Sequence, residues 1–377
     1  MKIDGLDLLI KPTLECNARC IYCHSMKPAK KMTLDVLDTL FKKAADYGKR
    51  KGLSTISVNW HGGEPMLMGA GFYRDALEIQ DKYFTRDQVL HGMQSNACLY
   101  KGEVREALKE LMNEKTMGAS FDPFHPTRGL IKGGDSFPDA LEGSLAMMQD
   151  GFSVDMIYVI HKKSLDVVRE VYHFFKNMRV QGVLFHPLEE YPGKEYRLEP
   201  DDLAVFLRRL WEVWEEDDYE LDISPLSEWR AFLKDREPID SCDFGLPSGS
   251  SLHVTVSPEG NLYPCPRFQD RDQCCIGNIR DMTFDEIEAH PYASLVVNKK
   301  TNLNPECRAC KFVHLCRSGC IATHDETGKT RWCQGLKDFF TFLVAKENIR
   351  DADLQYSRES AECVSGKGCD CESGQCG

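Results

Sequence analysis

Short apolar runs alternate with longer amphipathic stretches along the first half of the chain. The runs are rich in Val, Ile, Leu and Met, which is typical of buried parallel strands, and the stretches carry apolar residues at helical spacing. Strands are predicted over 8–12, 56–60, 89–94, 117–121, 156–160 and 182–186. Helices are predicted over 35–47, 71–83, 101–114, 137–150 and 165–177. Six strands with helical crossovers predict an α/β fold with a parallel, right-handed array.

The pattern changes near residue 190. A polar segment is followed by a strongly amphipathic helix over 202–216, and a hairpin is predicted over 252–263 around a Pro-Glu-Gly-Asn turn. A last helix is predicted over 335–347, and the polar, Ser- and Gly-rich end is expected to be disordered. The predicted division is an α/β domain over 1–190, a helical linker over 191–241, a loop-rich, cysteine-rich domain over 242–350 and a flexible tail over 351–377.

Composition narrows the possible partners. A length of 377 residues suggests two or three domains. The net charge of -12 argues against nucleic acid or an anionic membrane as the main partner. No apolar stretch approaches the roughly 20 residues of a membrane span, and no secretion signal is recognisable, so a cytoplasmic location is expected. In that compartment thiols stay reduced, and the 17 cysteines are better interpreted as metal ligands than as disulfides.

The most informative cysteines are Cys16, Cys20 and Cys23, with the spacing CxxxCxxC. Three thiolates at this spacing can hold three corners of a 4Fe-4S cube and leave the fourth iron open. An open iron can bind a small molecule, and a low-potential cluster can deliver one electron to it. The motif therefore predicts redox chemistry on a bound ligand.

Two further sequence features accompany this motif and indicate a resemblance to a known family. Tyr22 directly precedes the last cysteine, and the run Gly62-Gly63-Glu64-Pro65 follows the second predicted strand. Together these residues resemble the radical S-adenosylmethionine (radical SAM) superfamily. The resemblance implies a partial six-stranded barrel with its site at the carboxyl ends of the strands. S-adenosylmethionine carries a cationic amino group, so Gly62 and Gly63 would allow close backbone approach and Glu64 would offer an acceptor.

The same resemblance assigns further cofactor contacts. Tyr22 would pack near the adenine, and Arg128 would be a partner of the carboxylate. The other residues that fall where cofactor contacts lie in this family are Gln94, Asn96, Ser120 and Asp122. The family's reaction begins when one electron cleaves S-adenosylmethionine and yields a hydrogen-abstracting 5'-deoxyadenosyl radical, with an external flavodoxin or ferredoxin as the expected electron donor.

A second group of cysteines begins at residue 242 and resembles the SPASM extension, which holds two further 4Fe-4S clusters in its family. The GxxxxC element and the CxxCxxxxxCxxxC block are both present. By this resemblance the outer auxiliary cluster would be held by Cys307, Cys310, Cys316 and Cys333. The inner one would be held by Cys242, Cys265 and Cys320.

The chain departs from the SPASM pattern at the inner cluster. Relatives with a fully ligated cluster have another cysteine between residues 242 and 260, where this chain has Ser248, Ser250 and Ser251. Cys274 or Cys275 could supply the fourth ligand, or the iron could stay open for a substrate thiol. Taken alone, the block from Cys307 to Cys320 would fit structural zinc equally well.

The layout most resembles anaerobic sulfatase-maturating enzymes, which oxidise a Cys or Ser of a protein substrate to formylglycine. Those relatives place an Asp, thought to be the base, directly after the cysteine equivalent to Cys265, whereas this chain has Pro266. Asp270 and Asp272 are the substitute candidates. One alternative is a maturase that forms thioether or carbon-carbon crosslinks in a ribosomally made peptide. A second alternative is a non-enzymatic, multi-cluster electron carrier.

Five cysteines stay outside these assignments. Cys98 follows the third predicted strand and is expected to be a buried small hydrophobe. The others lie in the tail at Cys363, Cys369, Cys371 and Cys376. They could bind metal, shuttle sulfur, or resemble a crosslinkable substrate fused to its enzyme, or they could be incidental thiols of a flexible tail.

Overall fold

The computed structural model describes residues 5–23, 30–113, 115–189, 193–239, 243–244, 251–269, 271–295 and 302–354. In chain order the strands are β1 (Gly5–Thr13), β2 (Ala18–Cys20), β3 (Ile56–Gly62), β4 (Val89–Ser95), β5 (Thr116–Ser120), β6 (Arg128–Leu130), β7 (Ser153–Ile160), β8 (Gly182–Pro187), β9 (Asp222–Ser224), β10 (Ser251–Val256), β11 (Asn261–Tyr263) and β12 (Gly277–Asn278). The helices are α1 (Leu34–Lys51), α2 (Gly69–Gln80), α3 (Gly102–Leu111), α4 (Phe137–Gln149), α5 (Val168–Met178), α6 (Pro200–Glu216), α7 (Leu226–Asp235), α8 (Phe284–Ala289), α9 (Pro305–Arg308), α10 (Val313–Cys316) and α11 (Cys333–Lys346).

One ten-stranded sheet organises the molecule, in the order β12-β11-β10-β1-β3-β4-β5-β7-β8-β9. Its central strands β1, β3, β4, β5, β7 and β8 are the six predicted ones, and they pair in parallel. The predicted α/β array is therefore confirmed. Because all six strands run the same way, their carboxyl ends meet at one edge.

The sheet continues into the cysteine-rich part of the chain. β10 pairs with β1 in parallel, from Gly5 opposite Ser251 to Ile10 opposite Val256, and β11 turns back against β10 in the predicted hairpin. The proposed domain boundaries remain predictions. The pairing joins the two cysteine-bearing regions through one continuous sheet.

Aromatic side chains pack the helices against the outer face of the sheet near β3. Trp60 is fully buried and packs edge to face against Phe72 and Tyr73 of α2. Its indole N–H donates to Nδ1 of His91 on β4 at 3.1 Å. Pairs of this kind add stability beyond the area they bury. The contacts of Trp60 stabilise the end of β3, where the Gly62-Gly63-Glu64 segment begins.

Two stretches differ from the sequence expectation. The helix predicted over 165–177 begins at Val168, because Lys162–Asp166 form a 3-10 turn in which the Ser164 hydroxyl accepts from the His161 N–H at 3.0 Å. At the carboxyl end the chain stays packed through Leu354, which is 1% exposed. The four tail cysteines lie outside the described residues. Of the described helices, none has the length and apolar character needed to cross a membrane.

Candidate active site

The three cysteines of the first motif lie in a loop at the carboxyl end of β1. Backbone contacts hold this loop on two sides: Cys20 pairs with Arg128 between β2 and β6, and the Glu64 N–H donates to the Glu15 carbonyl at 2.7 Å. Gly63 permits the second contact, because a Cβ there would lie 2.1 Å from the Glu15 oxygen. The Gly-Gly-Glu segment therefore supports the cysteine loop directly.

The thiols of the loop lie close enough to influence one another. Burial raises the pKa of Cys16 to about 11, with smaller contributions in the same direction from Glu64, Cys20 and Cys23. The Cys16 sulfur accepts from the Ala18 N–H at 3.4 Å, and Cys23 is exposed. A bound metal removes the protons from thiols of this kind. Three grouped thiols with one at the surface fit a 4Fe-4S cluster held by three protein ligands.

The carboxylate of Glu64 lies fully buried between the ends of β3 and β4. One oxygen accepts from the Met66 N–H at 3.0 Å and the Ser95 hydroxyl at 2.8 Å, and the other accepts from the Asn96 N–H at 2.8 Å. Burial raises the pKa of Glu64, and these hydrogen bonds oppose that rise. The Asn96 side chain donates to Asn17 in the cysteine loop at 2.7 Å. The structure thus brings Glu64 and Asn96 together beside the loop, and their cofactor contacts remain predictions.

Two further predicted residues lie side by side on the next strands. Gln94 of β4 donates through Nε2 to the hydroxyl of Ser120 on β5 at 2.7 Å. Gly118 leaves room for Gln94, since a Cβ at that position would lie 1.9 Å from Oε1 of Gln94. The pair continues the polar row along the carboxyl edge of the sheet.

Asp122, Tyr22 and Arg128 form one buried network. The Asp122 carboxylate accepts hydrogen bonds from the Tyr22 hydroxyl, the Thr127 hydroxyl and Nε of Arg128, the last at 3.2 Å. The Arg128 guanidinium lies 5.3 Å from the centre of the Tyr22 ring. Burial raises the pKa of Tyr22 well above its usual value, so its hydroxyl stays a donor. Asp122 therefore positions Tyr22 and Arg128, while direct cofactor contacts of all three remain predictions.

His161 is a candidate binding residue that the sequence pattern does not single out. It directly follows β7, is 0% exposed, and neither of its ring nitrogens has a hydrogen-bond partner among the described residues. Tyr158 packs against Phe175 of α5, so strand alternation places His161 on the opposite face of the sheet. Its ring lies beside those of His125 and Tyr196. Buried nitrogens without a hydrogen-bond partner among the described residues make His161 a candidate contact for a polar ligand.

The predicted outer ligands line one cavity. Cys307, Cys310, Cys316 and Cys333 surround a space of about 450 Å³ that opens partly to solvent. Burial raises the pKa of Cys307, and Cys333 and Cys310 contribute in the same direction. In the part of the chain that the structure describes, no group of three or more His, Cys, Asp or Glu side chains is arranged to hold a metal ion. Thiols spread around a cavity fit a cube, in which each thiolate binds its own iron.

The inner site is organised by Arg267. Its Nη1 donates to the sulfur of Cys320 at 2.7 Å, and its Nη2 contacts Nε2 of His186 at the end of β8. Glu189 forms an ion pair with the guanidinium at 3.1 Å. Burial raises the pKa of Cys320 to about 12, and Arg267 opposes that rise. Burial also raises the pKa of Cys265, the other described inner cysteine, and Arg267 opposes that rise.

Three of the predicted residues are not fully described. Cys242 and Asp270 lie outside the described residues. Asp272 begins the 3-10 turn Asp272–Cys274, and its side chain also lies outside the description. The third inner ligand and the two base candidates therefore remain predictions.

Family comparisons match the two cysteine regions separately. Residues 10–175 match the radical SAM superfamily, and residues 248–311 match SPASM, an iron-sulfur cluster-binding domain. A cysteine-type anaerobic sulfatase-maturating enzyme of Clostridium novyi (strain NT) is 26% identical over 93% of this chain and 99% of its own length. A serine-type anaerobic sulfatase-maturating enzyme of Klebsiella aerogenes is 24% identical over 92% of this chain and 87% of its own.

Solved structures show the same arrangement of the fold. Native anSMEcpe with bound AdoMet and the Kp18Cys peptide has a TM-score of 0.78 and 25% identity, covering 91% of this chain and 98% of that one. Streptococcus suis SuiB bound to S-adenosylmethionine has a TM-score of 0.61 at 16% identity, covering 88% of this chain and 77% of that one, which is a likeness of fold.

Proposed function

We propose that this chain, a radical SAM enzyme with a carboxyl-terminal SPASM domain, oxidises a cysteine or serine side chain of a peptide or protein substrate to formylglycine. This chemistry is that of the sulfatase-maturating relatives, and those relatives align with the chain over 99% and 87% of their own length. Peptide-bound anSMEcpe, with a similar fold, supports a peptide substrate.

The observation that carries the proposal is the contact between the barrel and the inner cysteine loop. Leu8 and Ile10 of β1 are buried in the core, so alternation directs Lys11 to the barrel interior. There its Nζ donates to the carbonyl of Pro266 at 3.3 Å, directly after Cys265. A side chain held in the barrel mouth would thus lie between the Cys16 loop and the inner auxiliary site.

Formylglycine formation requires two electrons to leave the substrate. When bound at Cys16, Cys20 and Cys23, a 4Fe-4S cluster with S-adenosylmethionine supplies the means to remove a hydrogen atom from an unactivated carbon. One electron leaves with that hydrogen, and the second needs another acceptor. A serine then yields the aldehyde once its hydroxyl proton is lost, whereas a cysteine yields a thioaldehyde, in which water replaces the sulfur with release of hydrogen sulfide. The auxiliary cysteine sites beside the barrel mouth provide ligands for such an acceptor.

The chain's own residues contribute binding and positioning. Glu64 offers its carboxylate to the cationic amino group of S-adenosylmethionine, and Arg128 offers its guanidinium to the carboxylate. Asp122 holds Arg128 and Tyr22 in place, and His161 has nitrogens available for a polar group of the ligand. Asp270 or Asp272 would accept the proton of the substrate thiol or hydroxyl.

An external one-electron donor completes the scheme. Cys23 is exposed, so a small flavodoxin- or ferredoxin-type protein could approach the first cluster site closely enough for electron transfer. A low-potential donor of this class belongs to a reducing compartment, which is consistent with the cytoplasm.

The test is turnover of defined peptides by anaerobically reconstituted protein. We expect a peptide with Cys-x-Pro-x-Arg or Ser-x-Pro-x-Arg to gain an aldehyde, detected by hydrazide labelling and by mass spectrometry, while yielding deoxyadenosine and methionine. The same peptide with Ala at the modified position is the matched control. A product that loses two hydrogens without an aldehyde would instead support the crosslinking alternative. Absence of S-adenosylmethionine cleavage would support the electron-carrier alternative.

A further inference from the structure

The loop that carries Cys265 returns to its starting point. β11 and β12 pair in antiparallel fashion, with Leu262 opposite Gly277, and they close the base of a loop over 263–276. Cys265 and Cys274 each lie three residues from this last pair, on the two arms of the loop. Arms of three residues therefore tie both cysteines to the common base of the loop. The loop therefore brings a second cysteine back toward Cys265.

Side-chain packing shows where Cys274 points. Cys274 is 8% exposed and forms a small buried cluster with Phe268 and Ile321, against which Cys265 also packs. Ile321 directly follows Cys320, the other described inner ligand. The thiol of Cys274 therefore lies in the same small cluster as Cys265 and the neighbour of Cys320.

Two arginines hold the loop against the Cys320 segment. Arg267 donates to the sulfur of Cys320 at 2.7 Å, and Arg271 donates to the carbonyl of Ala322 at 3.1 Å. The Cys274 N–H donates to the Arg271 carbonyl at 2.8 Å, which fixes the backbone of Cys274 within the same turn. The position of Cys274 relative to Cys320 is thus set by the fold of the loop.

The adjacent cysteine points elsewhere. The sulfur of Cys275 lies 3.6 Å from the carbonyl oxygen of Gly277, toward the backbone of the hairpin, and Cys275 is half-buried. Cys275 also does not belong to the cluster around Phe268. The structure therefore separates two neighbours that the sequence alone leaves equivalent.

We propose that Cys274 is the missing thiolate ligand of the inner auxiliary cluster, beside Cys265 and Cys320. The proposal rests on the SPASM assignment in the proposed function. Cys274 would take the place of the cysteine ligand that relatives carry between residues 242 and 260, where this chain has serines.

Full ligation has a consequence for the reaction. An inner cluster with four thiolates has no open iron, so a substrate thiol has no position to bind there. The cluster then serves as an electron acceptor, which is what the oxidation of a side chain requires. A crosslinking route that anchors the substrate thiol on iron is disfavoured.

The test compares Cys274→Ala with Cys275→Ala in a background in which Cys16, Cys20 and Cys23 are all Ala, so that only the auxiliary clusters remain. We expect roughly 8 irons in the background protein and in Cys275→Ala. Cys274→Ala should lose up to about 4 irons or show the electron paramagnetic resonance signal of a three-iron cluster. Adding a cysteine-containing peptide should change the spectrum of Cys274→Ala and leave the background spectrum unchanged.

A second variant guards against simple misfolding. Cys274→Ser retains a ligating oxygen, so we expect it to keep its iron while its spectrum shifts relative to Cys275→Ser. Equal spectra for both serine variants and the background would overturn the proposal. So would a background spectrum that responds to the peptide, because this would show an open iron. These measurements need no turnover, whereas failure to bind auxiliary iron at all would contradict the SPASM assignment itself.

Discussion

Glu64 illustrates how one buried side chain serves two purposes. Its carboxylate accepts three hydrogen bonds that join the ends of β3 and β4, and the same charge is the proposed partner of the S-adenosylmethionine amino group. Burial of a charge is costly unless hydrogen bonds compensate, and here they do. The residue therefore links the stability of the site edge to ligand binding.

Replacing Glu64 by Gln should separate the two contributions. The variant removes the negative charge and turns one acceptor into an NH₂ group that faces a backbone donor. We expect S-adenosylmethionine affinity to fall about 10- to 100-fold and unfolding free energy to fall by about 1–3 kcal/mol. Equilibrium dialysis and urea denaturation measure the two effects.

Ser95→Ala is the matched control for this variant. It removes one donor to the Glu64 carboxylate and leaves the charge in place. We expect a comparable loss of stability with S-adenosylmethionine affinity changed less than about threefold. Equal affinity losses in the two variants would show that Glu64 acts on the ligand only through the local structure.

Gly63 gives a steric prediction at the same site. A Cβ at Gly63 would meet the backbone carbonyls of Glu15 and Leu14 at 2.1 and 2.6 Å, so the cysteine loop must shift in Gly63→Ala. We expect the free energy of unfolding to fall by about 1–3 kcal/mol and less iron to bind at the first cluster. Denaturation and iron analysis measure the two effects. Gly71→Ala is the control, since no atom lies within 4 Å of its Cβ and α2 should gain up to about 1 kcal/mol. Equal iron contents in both variants would contradict this interpretation.

At the level of elements, hydrophobic periodicity predicted the strands and helices of the first half of the chain. The six long strands and the helices between them carry clear apolar patterns, and the structure matches them within a few residues. The β2–β6 ladder was not predicted, because three-residue strands carry no periodic signal. That ladder nonetheless positions Cys20 opposite Arg128. Spacing identified Cys16, Cys20 and Cys23, and family resemblance pointed to Glu64 and the auxiliary cysteines. The roles of His161 and Arg267 depend on contacts between residues far apart in sequence.

The contact between α1 and the segment before α8 depends on Lys43. Its Nζ donates to the carbonyls of Ile279, Arg280 and Met282 at 2.6, 3.0 and 2.9 Å. Lys43→Met keeps most of the aliphatic stem and leaves these oxygens without their donor. We expect a loss of about 1–3 kcal/mol in unfolding free energy and faster proteolysis after residue 278.

Lys42→Met is the appropriate comparison. Lys42 is its exposed neighbour on α1, so the same substitution there should change stability by less than about 0.5 kcal/mol. If both variants behave alike, Lys43 does not hold the two segments together.

Across the whole molecule, the central feature is the continuity of the sheet. The parallel pairing of β10 with β1 joins residues 246 positions apart, and no local pattern could predict its register. This pairing brings the Cys265 loop to the strand whose end carries Cys16. The barrel and the auxiliary cysteines are therefore parts of one structure, with the outer cavity farther along the chain in the Cys307 to Cys333 region.

Loss of the outer cluster should leave S-adenosylmethionine cleavage, the first step of the reaction, in place. Cys310→Ala or Cys316→Ala removes a predicted cluster ligand from that cavity and leaves the Cys16 loop unchanged, so iron should fall from roughly 12 to roughly 8 per chain. Deoxyadenosine should still form without peptide, whereas aldehyde formation should be lost, because the substrate's second electron has no onward acceptor. Iron analysis, chromatography and hydrazide labelling measure these outcomes, with Cys98→Ala as the buried-cysteine control that keeps its iron. About 4 irons with bound zinc in the unmodified protein would instead reject both auxiliary clusters and favour structural zinc at the block from Cys307 to Cys320.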